Sequence, residues 1–159
     1  YRHFSSKAAL RDAVTEGWLA RVSDPLAEIA AEPGPASERL RRWLGALIAA
    51  KRRKTAAEPE LFATYQALFS EARDVIMRHV ETLVGQLATI VADGMARGEF
   101  AAGDPVATAQ AVFDATSRFH NPAHAAEWGD VAAGDAAFER VWSLVIAGLL
   151  PNTSAPTKR

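Results

Sequence analysis

Apolar residues recur along this chain at the spacing of helix turns, and no segment alternates polar and apolar long enough to make a strand. Leu10, Val14, Trp18 and Val22 fall every four positions, a row that drifts slowly round a helix axis and predicts one buried face from Lys7 to Val22. Asp24-Pro25 interrupts it, because proline lacks a backbone donor and crowds the preceding turn, and Leu26 and Ile29 resume the row as a kinked extension. Glu32-Pro33-Gly34-Pro35 then stops it. A second helix opens at Ala36 or Ser37, with Leu40, Trp43, Leu44, Leu47 and Ile48 on one face and basic residues on the other. Glu58-Pro59-Glu60 starts a third, since proline suits the first helical position and carboxylates suit the positive end. Its stripe is Leu61, Phe62, Tyr65, Leu68 and Phe69.

The widest apolar face lies between Arg73 and Arg97, where Ile76, Val80, Leu83, Leu87 and Ile90 form a seam flanked by Met77, Val84 and Val91. This helix is the expected spine of a bundle, closed by Gly98 just past its end. Asp104 as cap and Pro105 as first residue open the next helix, with Val106, Ala109, Val112, Phe113, Thr116 and Phe119 inward. Asn121 can cap a short helix through His124 and Trp128, and Gly129 and Gly134 bracket a loosely specified stretch. The last helix is expected from about Asp135 to Leu150. From Val141 onward it is apolar almost all round, which calls for cover on both sides. The fold class is therefore all-α, a bundle of roughly seven helices.

Composition narrows this further. The 159 residues, 49% hydrophobic and 23% charged, suit one soluble domain with a sizeable core. The absence of cysteine excludes disulfides, thiolate metal sites and a cysteine nucleophile, and agrees with a reducing cytoplasm. No apolar run approaches the length of a membrane span. A net charge of −1 makes the chain as a whole a poor electrostatic footprint for nucleic acid. Between Glu38 and Lys54, however, seven cations face one carboxylate, a local charge of +6. The run Lys51-Arg52-Arg53-Lys54 suits the negative end of its helix; it could also return toward phosphates, if the first helix leads away from DNA and the second comes back.

Candidate chemistry is sparse. His120 and His124 are four apart, with Glu127 and Asp130 beyond, which superficially resembles a helical metal site. Pro122 argues against it: if Asn121 caps a new helix, the two rings need not share a face. The expected roles are a buried His120 hydrogen-bonded at a pocket mouth and a solvent-facing His124. No nucleophile elbow or other catalytic motif is present, so neither an enzyme, a metal nor a cofactor is expected. Trp43, Leu47, Phe62, Tyr65, Phe69, Met77, Val80, Phe113 and Phe119 suit either a packed core or an apolar cavity. Thr116, His120 and Tyr65 punctuate these faces with polar groups, which favours a cavity for an apolar or aromatic, uncharged small molecule. No buried cation is expected there. On the last two long helices, Val106, Val112, Phe138, Val141, Trp142, Val145 and Leu149 are expected to meet a second subunit.

The opening residues carry a resemblance. Tyr1-Arg2-His3-Phe4-x-Ser6-Lys7-x-x-Leu10 resembles the junction closing the DNA-binding domain of TetR-family bacterial repressors, where the helix-turn-helix ends in Tyr-x-x-Phe and a Ser-Lys pair opens the fourth helix. Ala8 departs from the acidic residue common there. Arg97-Gly98-Glu99-Phe100 before Asp104-Pro105, and Phe119-His120-Asn121-Pro122, are similar to breaks found in the family. The resemblance implies that Tyr1, His3 and Lys7 sit on or beside operator DNA, that Phe4 plugs the core of the small domain, and that the chain lacks most of its DNA reader. Residues 1–6 would then end that reader, 7–150 form a ligand-binding and dimerisation domain, and 151–159 a tail. The implied function is a homodimeric, cytoplasmic repressor released from DNA by a small molecule. The alternative is a dimeric helical module for a lipid or peptide without DNA contact.

Overall fold

The computed structural model describes residues 3–57 and 59–152; within them the side chains of Leu61, Phe62, Tyr65, Leu68 and Phe69 lie outside the described set. Ser6 starts α1 (Lys7–Ala31), its side chain accepting from the Ala9 amide at 3.1 Å. The helix runs through Pro25 and ends at Glu32. Its buried row is Thr15, Leu19, Val22, Leu26 and Ala30. That corrects the expected row: Leu10 and Val14 are 45% and 49% exposed, and only its later members, Trp18 and Val22, reach cover. The physical reason is the drift of a four-residue spacing, which carries the early positions away from the helices packed on α1.

Two helices make most of the core. From α2 (Ala36–Ala57) come Leu40, Trp43, Leu44, Leu47 and Ile48, and from α4 (Arg73–Ala96) come Leu83, Val84, Leu87, Ile90 and Val91, all buried together. Each such side chain contributes roughly 1.5–3 kcal/mol by leaving water. The intervening α3 (Pro59–Glu71) packs on both. With α1 and α5 also against it, α4 is the spine, and its length and hydropathy are those of a buried core helix as much as of a membrane span. Polar ties fix the register. Trp43 Nε1 donates to Gln86 Oε1 at 2.9 Å, and Gln86 Nε2 donates to Ser23 O at 3.0 Å. Buried Arg39 pairs with Asp93 and donates to Ala30 O, so one guanidinium joins α1, α2 and α4.

The break after α4 is a clamp. Gly98 takes a positive φ of 73°, and the amides of Glu99 and Phe100 turn back onto Gly94 O. A Cβ at Gly94 would stand 2.4 Å from the Phe100 ring, so this approach requires glycine. Glu99 then accepts from the Ala36 amide at 2.6 Å, capping α2 from across the molecule. Asp104 caps α5 (Pro105–Ala115), which leads through Thr116 into α6 (Ser117–His120). Asn121 accepts from the Ala123 amide and starts a 3-10 turn, Pro122–Glu127. The final helix, α7, spans Val131–Leu149 and begins earlier than its sequence suggests. Asp130 is the reason: its carboxylate accepts from the Ala133 amide, and Gly134 lies within the helix beneath the Arg52 guanidinium, which pairs with Asp135 at 2.7 Å. The architecture is all-α, with no strand among the described residues.

Candidate functional site

A cavity of about 260 Å³ opens where five helices meet. Its wall takes Leu19 from α1, Lys51 from α2, Ile76, His79, Val80 and Leu83 from α4, Phe113 from α5 and His120 from α6, closed by Asn121 and Pro122. The short α6 makes this possible. Thr116 ends α5, and one further turn swings His120 inward against Phe113, ring centroids 4.6 Å apart. Asn121 then redirects the chain outward, so His124 faces Glu127 at 3.2 Å and shares no site with His120.

The polar groups on this wall are unusual. Lys51 is only 7% exposed, and among the described residues nothing accepts from its ammonium. Burial pulls its pKa down to about 8, with the neighbouring Lys54 charge adding to the fall. Burial also holds His79 down to about 3, with Lys51 and Lys54 contributing, and its Nε2 is buried with no partner. For His120, burial and then the Lys51 charge bring the value to about 4, against a small opposing effect of a Phe113 backbone hydrogen bond. Both imidazoles are neutral at pH 7. The Thr116 hydroxyl lies 2.9 Å from Val112 O, 3.2 Å from Phe113 O and 3.1 Å from His120 Nε2; it has one proton to give, so the direction of the Thr116–His120 bond is set by the His120 tautomer.

The sequence-derived ligand set divides. Val80, Phe113 and His120 stand on the cavity wall, and Thr116 stands behind His120. Trp43, Leu47 and Phe119 are buried away from it in the core, Phe119 edge-on to Phe138 at 5.5 Å. Met77 is 52% exposed: one position round from Ile76, it turns off the inward seam. The side chains of Phe62, Tyr65 and Phe69 lie outside the described residues, as does Tyr1. His3 and Lys7 are exposed at the start of α1. The expectation that no buried cation is present is overturned by Lys51. Its position shows why it was missed: in a run of four cations it reads as a helix end, yet it continues the buried row Leu40, Leu44, Leu47. His79 likewise falls three after Ile76 and four before Leu83, on the seam.

The residues expected between subunits also divide. Val112, Phe138 and Leu149 are buried in the core of their own chain, because the inward face of α5 and α7 claims them. Val141, Trp142 and Val145 are half-buried, and the Arg41 guanidinium lies over the Phe138 and Trp142 rings. Val106 is turned outward, not inward, and is exposed; Leu144 is 77% exposed. Between α5 and α7 runs a groove of about 460 Å³ whose lining includes Asp104, Ala107, Thr108, Ala111, Leu144, Val145 and Gly148.

Residues 36–142, more than half of the chain, match the family model described as tetracyclin repressor-like, C-terminal domain. No curated protein and no solved structure matches the chain.

Proposed function

The chain belongs to the tetracyclin repressor-like family, and from that premise we propose that it is the sensing and dimerising part of a cytoplasmic, non-enzymatic transcriptional repressor that leaves its operator when a small molecule enters the cavity. The observation that carries this reading is Leu19. It puts the long first helix on the same wall as Lys51, His79 and Phe113, so an occupant touches the helix that leads to Lys7. One residue earlier, Trp18 O accepts from Lys54 Nζ at 3.1 Å, and the ammonium stands 3.7 Å from the centre of the Trp18 ring. Midway along its length, α1 is thus gripped by both the cavity and the helix that supplies its cation. A ligand preferring one tilt of α1 shifts the population toward it and changes the separation of two DNA readers spaced about one DNA turn apart.

Support for the remaining parts is local. Phe4, Leu10 and Val14 form an exposed apolar row at the start of α1, suited to packing against a DNA-reading domain, with Lys7 and His3 beside it for phosphate contacts. On the other side, the groove of α5 and α7, with exposed Leu144 on its wall, suits a second copy of the chain. The test is selection of genomic fragments by the full-length protein followed by gel-shift titration. Specific retention of a palindromic site is expected. A full-length protein that retains no DNA would contradict the repressor reading and favour a dimeric helical module for a lipid or peptide.

A further inference from the structure

We propose that the cavity is built for a monocarboxylic acid with an apolar body, the carboxylate held by Lys51 Nζ and the His79 Nε2 proton, the hydrocarbon lying against Leu19, Ile76, Leu83 and Phe113. This rests on the reading of the cavity as the sensor site and narrows it to a ligand class. Three observations carry it. The first is a lysine only 7% exposed with no counter-charge among the described residues: none of the described wall residues is a carboxylate, and none accepts from Lys51. An unpaired buried charge is costly, and the cost is removed by an anion that arrives with its own apolar surface to bury. The second is His79 Nε2, a buried polar atom without a partner on the same wall, which as N–H supplies a second donor to one carboxylate. The third is the remaining wall, which is apolar apart from His120 and Asn121 and leaves room for roughly a drug fragment. A neutral ligand would leave the ammonium unpaired, and a cation would be repelled.

The titratable groups around Lys51 are Lys54 on its own helix, His79 on α4 and His120 on α6; α1 and α5 present Leu19 and Phe113. Among the described residues the charge on the cavity wall itself is positive at neutral pH, and the nearest carboxylate, Glu16 of α1, lines a separate groove on the other side of Leu19 and His79. Because free Lys51 loses its proton near pH 8, acid binding weakens as pH rises above that value, whereas binding of a neutral analogue does not change.

The test is calorimetric titration of the full-length protein with octanoate and 3-phenylpropanoate, beside 1-octanol as the uncharged match. At neutral pH at least one acid is expected to bind about ten-fold or more tighter than the alcohol, the value of a charge-assisted bond. Lys51→Met should abolish that preference while keeping 1-octanol binding. It removes a buried charge, so folding is expected to survive; Phe113→Trp, which fills the cavity with Lys51 intact, should weaken acid and alcohol alike. Acid affinity should fall between about pH 7 and 9.5 in the wild type alone. Equal affinities for acid and alcohol, no binding of either acid, or a preference that survives Lys51→Met would each overturn the proposal. DNA retention by the same preparations separates the two readings: a protein that binds acid but no DNA loses the repressor function and keeps the site, and the reverse outcome loses only the site.

Discussion

The buried imidazole of His79 makes the site measurable without any ligand. It stays neutral in the folded chain down to about pH 3, whereas an unfolded histidine takes its proton near the ordinary 6.5. The folded-state value is lowered, so the stability linked to this group is intact above 6.5 and is lost as pH falls from there toward 3. At pH 5 the loss comes to about 2 kcal/mol, and at pH 8 to about zero. His79→Leu removes both the orphan atom and the titration. Urea midpoints at equal protein concentration should therefore show the variant gaining about 2 kcal/mol more on the wild type at pH 5 than at pH 8. An equal difference at both values would mean that His79 is solvated or paired. At this scale the sequence was least legible. His120 could be read as a buried, hydrogen-bonded ring because Asn121-Pro122 forces a break beside it. Lys51 and His79 were hidden by type: a lysine in a basic run and a histidine on a long helix read as surface, and only their register with Leu47 and Leu83 puts them inside.

Helix boundaries followed from local chemistry wherever a cap or a proline marks them. Ser6, Glu32-Pro33-Gly34-Pro35, Gly98, Asp104-Pro105 and Asn121 all act where the sequence puts them. The start of α7 was obscured by Gly129 and Gly134, whose turn signal is outweighed by the Asp130 cap and the packing of Arg52. Which face an element presents was harder to read. On α1, periodicity gave a row but not which of its turns finds cover; on α7, a helix apolar all round gave no direction at all. Burial resolves α7 into an inner face with Phe138 and Leu149 and an outer face with Leu144. The outer face leads to a paired prediction. Leu144→Asp should leave helix content unchanged and convert a dimer to a monomer in sedimentation, because a desolvated carboxylate opposes the contact. Phe138→Ala should cost about 3–5 kcal/mol of stability by emptying the core. A Leu144→Asp protein that remains dimeric would move the interface off this face.

For the molecule as a whole, the all-α class was legible from periodicity alone, and the family from the junction around Ser6-Lys7 and the break at Arg97-Gly98-Glu99-Phe100, with a match over residues 36–142. Apolar periodicity could not distinguish a core from a cavity, because both need the same faces; the difference lies in the space left between Leu19, Lys51 and the Phe113–His120 pair. The proposed function joins that cavity to a DNA-reading end through α1. The sequence has no cysteine, so Lys7→Cys gives one spin-label position in it, at the exposed start of α1. The direct measurement is the label-to-label distance across the full-length dimer by pulsed electron resonance, with the cavity empty and then saturated by whichever acid calorimetry shows to bind. A shifted or newly narrowed distance distribution on saturation is the result predicted. An unchanged distribution with the cavity filled would contradict the claim and leave α1 a passive tether.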